Sequence, residues 1–388
     1  MNRKQFLMVL LALAFIGGAG LILLHRHQQT WQVREAREGD KVLPDFPINE
    51  VAAIHVRGGT ADFNVVRTND QWCIAERGHY PADLTLIRNL LFKLRDLKVV
   101  QSDLIGPSQF DRLDLEPPGT QPHSAILLEF KDEHGRLLGA LLVGKKHDRP
   151  RNDSEPPGLH GLFDGRYVLL PADPHNALLV SDDLASVMPD PGFWLSQDFF
   201  KVEDVKFLSV VSSTAADSWE ISRANDSSPW ALDTPNPGEV LNVRKAGNAA
   251  EILAFLTFDD VAPKTPALME ALGLNQPILV TALTDDLACT LKIGRQLPNG
   301  DYPMTISVAA NLPAARVAGP DESPADKARL DAEFQDQTKS LREKMAQGQK
   351  LTPWIYEVGP WIEKVIRTRS QLLTASEQTA DNAQTARP

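Results

Sequence analysis

Val51-Ala-Ala-Ile-His-Val56 and Val205-Lys-Phe-Leu-Ser-Val210 decide the fold, because each opens the same succession of elements. After the first come a strand ending at Asp70-Gln-Trp72-Cys-Ile74, a leucine-rich helix from Asp83 to Val100, the turn Leu113-Asp-Leu115-Glu-Pro117-Pro118, and a strand closing on Leu141-Leu-Val-Gly144. After the second come Ser228-Pro-Trp230-Ala-Leu232, a helix from Ala249 to Phe258, Leu272-Gly-Leu274-Asn-Gln-Pro277 and Leu291-Lys-Ile-Gly294. An order met twice implies a duplicated supersecondary unit. Its markers are Trp72 and Trp230, Gly144 and Gly294, and Pro118 and Pro277.

The local patterns give the elements. Gly58-Gly59 separates two alternating runs, which reads as a hairpin. Asp83 is a good N-cap, and Ile87, Leu90, Leu91, Leu94 and Leu97 recur at helical spacing. Ile252, Leu253 and Leu256 echo that apolar face. Ser124–Phe130 and Leu137–Val143 read as a hairpin around Asp132-Glu-His-Gly135. Arg166–Leu170 is read as another strand, followed by a helix around Asn176–Val187. In the second repeat Trp354–Val358 is matched to Arg166–Leu170. Strands in hairpins with interspersed helices predict an α+β fold of tandem duplicated lobes, each a mainly antiparallel sheet with packed helices, preceded by one N-terminal transmembrane helix.

The expected organisation is a membrane anchor over 1–27, a polar stalk over 28–46, one repeat over 47–199, a second over 200–373, and a disordered polar tail over 374–388. Pro189-Asp-Pro-Gly192 marks the boundary between repeats. The second repeat carries an insertion at about 309–352 that the first lacks. Its charged helix, Asp326 to Gln347, bears a thin apolar stripe of Leu330, Phe334, Leu341 and Met345, the candidate partner contact.

Bulk properties narrow the function. The 388 residues suffice for two cores, and 43% hydrophobic with 23% charged residues is ordinary for a globular protein. A net charge of −11 argues against a nucleic-acid partner and against electrostatic docking on anionic lipid. Phe6 to Leu24 carries no charge over about the length that crosses a bilayer. Arg3 and Lys4 precede it, and Leu21–Leu24 continues the apolar run past the small residues where a signal peptide would be cut. The expectation is a retained single-pass anchor in the cytoplasmic membrane with the bulk of the chain outside it.

The layout resembles the bacterial DUF4340 family. The Trp72 strand, the leucine-rich helix, the Leu-x-Leu-x-x-Pro turn, the strand ending at Gly144 and the strand at Tyr167 carry the resemblance, over most of Pro47 to Leu373. It implies a membrane-anchored envelope protein, often encoded beside ABC-transporter components resembling the gliding-motility type, with no established catalytic residues. Asp114 departs from the pattern where Gly273 occupies the corresponding turn, and the insertion enlarges the second repeat.

No catalytic motif rises above background. Gly139-Ala-Leu-Leu-Val-Gly144-Lys145-Lys146 nearly spells a phosphate-binding loop, but its middle is an apolar strand core and Lys146 replaces the required hydroxyl. His134, His147 and His160 lack the i,i+4 spacing of a helical metal pair. Asp182-Asp183, Asp259-Asp260 and Asp285-Asp286 lie where caps and turns call for Asp. Cys73 and Cys289 read as small buried residues. Trp194, Trp354 and Trp361 are less constrained, and an exposed pair among them would mark an interface. No catalytic residue, metal ligand or cofactor is assigned. The leading expectation is a non-enzymatic, membrane-anchored extracytoplasmic module serving an envelope or ABC-transporter-type system. The alternatives are an envelope-polymer hydrolase with an acidic site and a receptor binding its ligand in the inter-repeat groove.

Overall fold

The computed structural model describes residues 38–148, 163–310, 312, 315–319 and 322–374. The chain divides into two compact units. One holds the chain up to Cys73 and Leu84–Asp190; the other holds Ile74–Asp83 and the chain from Pro191 onward.

In the first unit Ala53–Gly58 (β1) and Ala61–Thr68 (β2) form a hairpin, with Gly59 at a φ of 59° in the left-handed region that its turn requires. Gln71–Ile74 (β3) follows, and then Tyr80–Pro81 (β4) within the segment that belongs to the second unit. Leu84–Asp96 (α1), Val99–Leu104 (β5), Ile126–Lys131 (β6), Leu137–Asp148 (β7), Phe163–Leu170 (β8) and Asp173–Val180 (β9) complete the unit. The strands belonging to this unit lie in the order β3-β2-β1-β6-β7-β8-β9-β5. The two-residue period of the strands buries Ile54 and Val56 of β1 with Phe63 and Val65 of β2. The 3.6-residue period of α1 buries Ile87, Leu90, Leu91 and Leu94.

The second unit contains Phe207–Val211 (β10), Trp219–Ser222 (β11), Ala231–Leu232 (β12), Val243–Ile252 (α2), Asp260–Pro263 (β13), Pro266–Ala271 (α3), Ile278–Leu283 (β14), Leu287–Ile293 (β15), Tyr302–Ala310 (β16), Pro324–Leu351 (α4) and Trp354–Val358 (β17). Its sheet runs β12-β11-β10-β14-β15-β16-β17-β13, strand for strand the order of the first. Local geometry agrees with the topology. A Cβ on Gly144 would collide with the Leu113 carbonyl and the Leu115 side chain; one on Gly294 would collide with the Leu272 carbonyl and crowd Leu274. Asp114 and Gly273, between those leucines, are both left-handed, at φ 52° and 74°.

The α+β expectation is corrected here. Two antiparallel sheets dominate the described residues, helices are few, and none of those helices is long and apolar enough to cross a membrane. Phe6–Leu24 and residues 375–388 lie outside the described residues. The helix read around Asn176–Val187 is largely strand β9, in which Asn176–Val180 are all buried. A strand covered on both faces shows an unbroken apolar run, and a run that short has no period to tell it from a helix. The strand match also shifts: by sheet order Trp354–Val358 answers β9, while Tyr302–Ala310 answers the strand containing Arg166–Leu170. The insertion therefore falls between two strands that Pro171–Ala172 alone separates in the first unit. Of the stretch read as a stalk, residues 38–46 are packed: Val42 and Phe46 are buried, and Phe46 meets Phe130 edge-on at 5.2 Å.

The segment Ile74–Asp83 is integral to the second unit. The Asp83 amide donates to the Trp194 carbonyl at 2.8 Å, and the Ser196 amide to the Pro81 carbonyl at 2.9 Å. Tyr80 is buried in an aromatic cluster, edge-on to Trp354 at 4.9 Å and to Phe258 at 5.6 Å. Phe199 and Tyr356 close the cluster, their rings 4.8 Å apart. Burial pushes the Tyr80 phenol up to about 12.

Candidate functional site

Strands β13 and β17 pair antiparallel with Asp260 directly opposite Glu357. Residues so placed project from the same face of a sheet, so two carboxyl groups are neighbours by register alone. Arg77 grips Asp260 through both carboxylate oxygens, Nε to Oδ1 at 2.6 Å and Nη2 to Oδ2 at 2.8 Å. The Asn299 amide nitrogen donates to Glu357 Oε1 and to Asp301 Oδ2, both at 2.7 Å. Burial, and then the negative charges of Asp301 and Asp260, push the Glu357 carboxyl above the usual carboxylate range. The group borders a cleft of about 260 Å³ that is also lined by Glu76, Arg77, Tyr356 and apolar side chains including Leu268, Leu272 and Leu297. One acid bound to a guanidinium and a second that holds its proton to higher pH make a polar site at which a proton could be given or taken.

The first unit lacks this constellation. Gln101 stands opposite Leu179 at the register that Asp260 and Glu357 occupy, and Gly165 stands where Asp301 does. A Cβ on Gly165 would strike the Leu179 side chain at 3.1 Å and would also clash with the Val180 carbonyl, so the first sheet closes where the second opens. By sequence alone Asp259-Asp260 reads as a pair of turn acids. Only the strand register reveals that Asp260 faces Glu357, almost a hundred positions away, and that signal requires both repeats to be aligned strand by strand.

A second cleft, about 380 Å³, lies along α2 and is lined by Asp204, Arg223, Trp230, Arg244, Asn248 and Glu251 among others. Arg223 lies over the Trp230 ring at 4.9 Å and binds Asp226 at 2.9 Å. In α2 the buried stripe has shrunk to Ala246, Ala249 and Ala250, against Ile87, Leu90 and Leu91 in α1.

The residues singled out from sequence fall as follows. Trp72 lies on β3 and Trp230 immediately before β12, both buried; Pro118 and Pro277 are half-buried after their respective turns. Leu330, Phe334, Leu341 and Met345 are all half-buried, in line with buried Thr338, Gly348 and Leu351. Helix α4 packs on β16, closely enough that a Cβ on Gly348 would meet Val308 at 2.5 Å. The Gly139–Lys146 stretch is continuous strand in β7. His134 is exposed in the turn before β7, His147 lies edge-on to Tyr167 at 6.0 Å, and His160 is outside the described residues. Trp194 is fully buried and Trp354 belongs to the Tyr80 cluster, so the exposed tryptophan pair does not form from these two. Cys73 and Cys289 are buried free thiols. Asp182 and Asp183 accept the amides of Leu184 and Ala185, as turn residues do. No group of three or more His, Cys, Asp or Glu among the described residues is placed to hold a metal ion.

One cluster escaped the sequence reading. His55 on β1 places Nε2 2.7 Å from Asp62 and Nδ1 3.1 Å from Glu129 of β6. Burial works to raise the Glu129 carboxyl, but Lys131 and His55 together hold it below the usual range. The equivalent positions in the second sheet are Ser209, Ser218 and Thr281, so the sheet itself does not require the trio.

No protein-family model matches the chain, and neither a curated protein nor a solved structure matches it.

Proposed function

We propose that the chain is a non-enzymatic interaction module held at the cytoplasmic membrane with its bulk outside it. On this reading it is an accessory subunit of an envelope or ABC-transporter-type system, as the DUF4340 resemblance implies. The observation that carries the reading is the insertion. Two strands that need only Pro171–Ala172 between them in the first unit are separated in the second by a 28-residue helix. A sheet of this order closes without that helix, so the helix adds surface that the fold does not need. The uncharged run Phe6–Leu24 supports tethering, and the basic Arg3 and Lys4 support the orientation. Fusions of compartment-specific reporters after Leu373 test the location, and a reporter active only in the cytoplasm would overturn it. Crosslinking of the intact protein in its native membrane, followed by identification of joined subunits, tests the accessory role.

The acidic cleft favours one other reading, a hydrolase of envelope polymers. Glu357 would supply the proton and Asp260 the negative charge beside it. Turnover of a polysaccharide or peptide polymer that is lost in Glu357→Gln with folding intact would establish this reading in place of the first.

A further inference from the structure

Helix α4 packs on β16, with Gly348 against Val308, and its apolar stripe is half-buried. We propose that the docking surface is instead the outward side of the C-terminal half of α4, and that its occupant is an acidic protein surface. This rests on the interaction-module reading above.

Charge along the helix is divided. In the first half acids outnumber cations, with Asp326, Asp331, Glu333 and Asp336 against Lys327 and Arg329; Arg329 binds Glu333 at 2.7 Å, and Arg316, from the preceding loop, binds Glu322 and, at 2.8 Å, Asp331. In the second half Lys339, Arg342, Lys344 and Lys350 are exposed, and none forms an ion pair or side-chain hydrogen bond among the described residues. Glu343 is the single acid of that stretch. The helix dipole explains Lys350, which lies in the last turn, but fades within a turn and does not explain the other three. At about 100° per residue, Lys339, Arg342 and Lys350 fall within roughly 80° of one another, away from the buried side of Leu341, Met345 and Gly348.

An unpaired cationic strip on a chain of net charge −11 is a local reversal of sign. With a screening length of about 8 Å, it attracts only what comes close to it. An extended anionic bilayer would bring the rest of the acidic chain into repulsion, whereas an acidic protein surface of helix dimensions meets the strip alone. The pairing would set encounter rate and register, and so would weaken with salt.

The test uses the full chain in its native membrane, with a photocrosslinking residue in place of Ala346, which faces outward between Arg342 and Lys350. The expected result is a protein adduct whose contact peptide is rich in Asp and Glu. Its yield should fall about tenfold in the K339Q/R342Q/K344Q/K350Q chain, fall with added salt, and survive in K339R/K344R/K350R. Equal yield from the glutamine chain at unchanged melting temperature would overturn the proposal, as would a contact peptide without excess acid. Binding to phosphatidylglycerol vesicles with a lipid adduct in place of a protein one would overturn it too. Adducts formed from probes elsewhere on the chain, but not from position 346, would sink this inference and leave the interaction module standing. The absence of a protein adduct from every probed position would sink both.

Discussion

Where the first unit has Gln101, Gly165 and Leu179, the second has Asp260, Asp301 and Glu357. Where the second has Ser209, Ser218 and Thr281, the first has His55, Asp62 and Glu129. Both sheets nonetheless keep one strand order and one glycine packed against the corresponding leucine turn, Gly144 within β7 and Gly294 just after β15. The difference separates what the sheet needs from what each copy carries. Polar groups that vanish at the equivalent place without altering the order are not what holds the sheet together.

The strongest way to break this comparison is to empty the aromatic cluster around Tyr80 in the second unit. Tyr80→Ala should cost about 3–5 kcal/mol, as large-to-small core changes do. Hydrogen exchange should rise throughout the second unit while β1, β2 and β6 keep their protection. Equal loss in both units would show that their stabilities are not separable.

A symmetric pair of substitutions comes next. Gly144→Ala and Gly294→Ala each force a methyl group into a backbone carbonyl and a leucine, and each should cost about 1–3 kcal/mol. Urea titrations of the two variants should give similar midpoints. A neutral change at either position would break the equivalence of the two glycines.

The turns offer a smaller effect of opposite sign. Asp114 at φ 52° bears a left-handed penalty that Gly273 at φ 74° avoids. Gly273→Ala should therefore lose about 1 kcal/mol, and Asp114→Gly should gain part of the same amount. Loss of the contact between Asp114 and His123 works against that gain. Thermal melts of both variants decide it.

The smallest expected effect is a change of slope. Glu357 holds its proton more tightly in the folded chain than at its ordinary 4.5, so the folded state binds the extra proton. Stability from this group is full below that ordinary value and is lost as pH rises from there through the raised one. Glu357→Gln keeps an oxygen for Asn299 and a donor for Asp301, and removes the charge. Its melting temperature should gain on the parent as pH climbs from 4 to 8. Leu179→Gln, at the equivalent place in the first unit, should show no such slope.

Much of this was legible in the residues, and for physical reasons. Ile54, Val56, Phe63 and Val65 alternate because one face of each strand is buried, and Ile87 to Leu94 recur at helical spacing because one side of α1 is buried. The β6–β7 hairpin announces itself in Asp132-Glu-His-Gly135. Strand β9 did not, because its Ala177–Val180 run is buried without alternation. The stripe on α4 was visible, but spacing alone does not say whether a protein's own strand or a partner covers it. The acidic cleft was hidden for a different reason: its members are strangers in sequence, and only the pairing of β13 with β17 makes them neighbours.

The segment Ile74–Asp83 has a consequence for synthesis. It emerges from the ribosome about 110 residues ahead of Pro191, which resumes its unit. At roughly 5–20 residues per second, Tyr80 therefore waits on the order of ten seconds before Phe199, Phe258, Trp354 or Tyr356 exists to receive it. During that pause the strand before it and the helix after it can already settle, presenting the segment as a loop with an unclaimed aromatic ring. This loop is where a nascent-chain chaperone has time to bind, and where a premature stop would leave a half-made protein sticky.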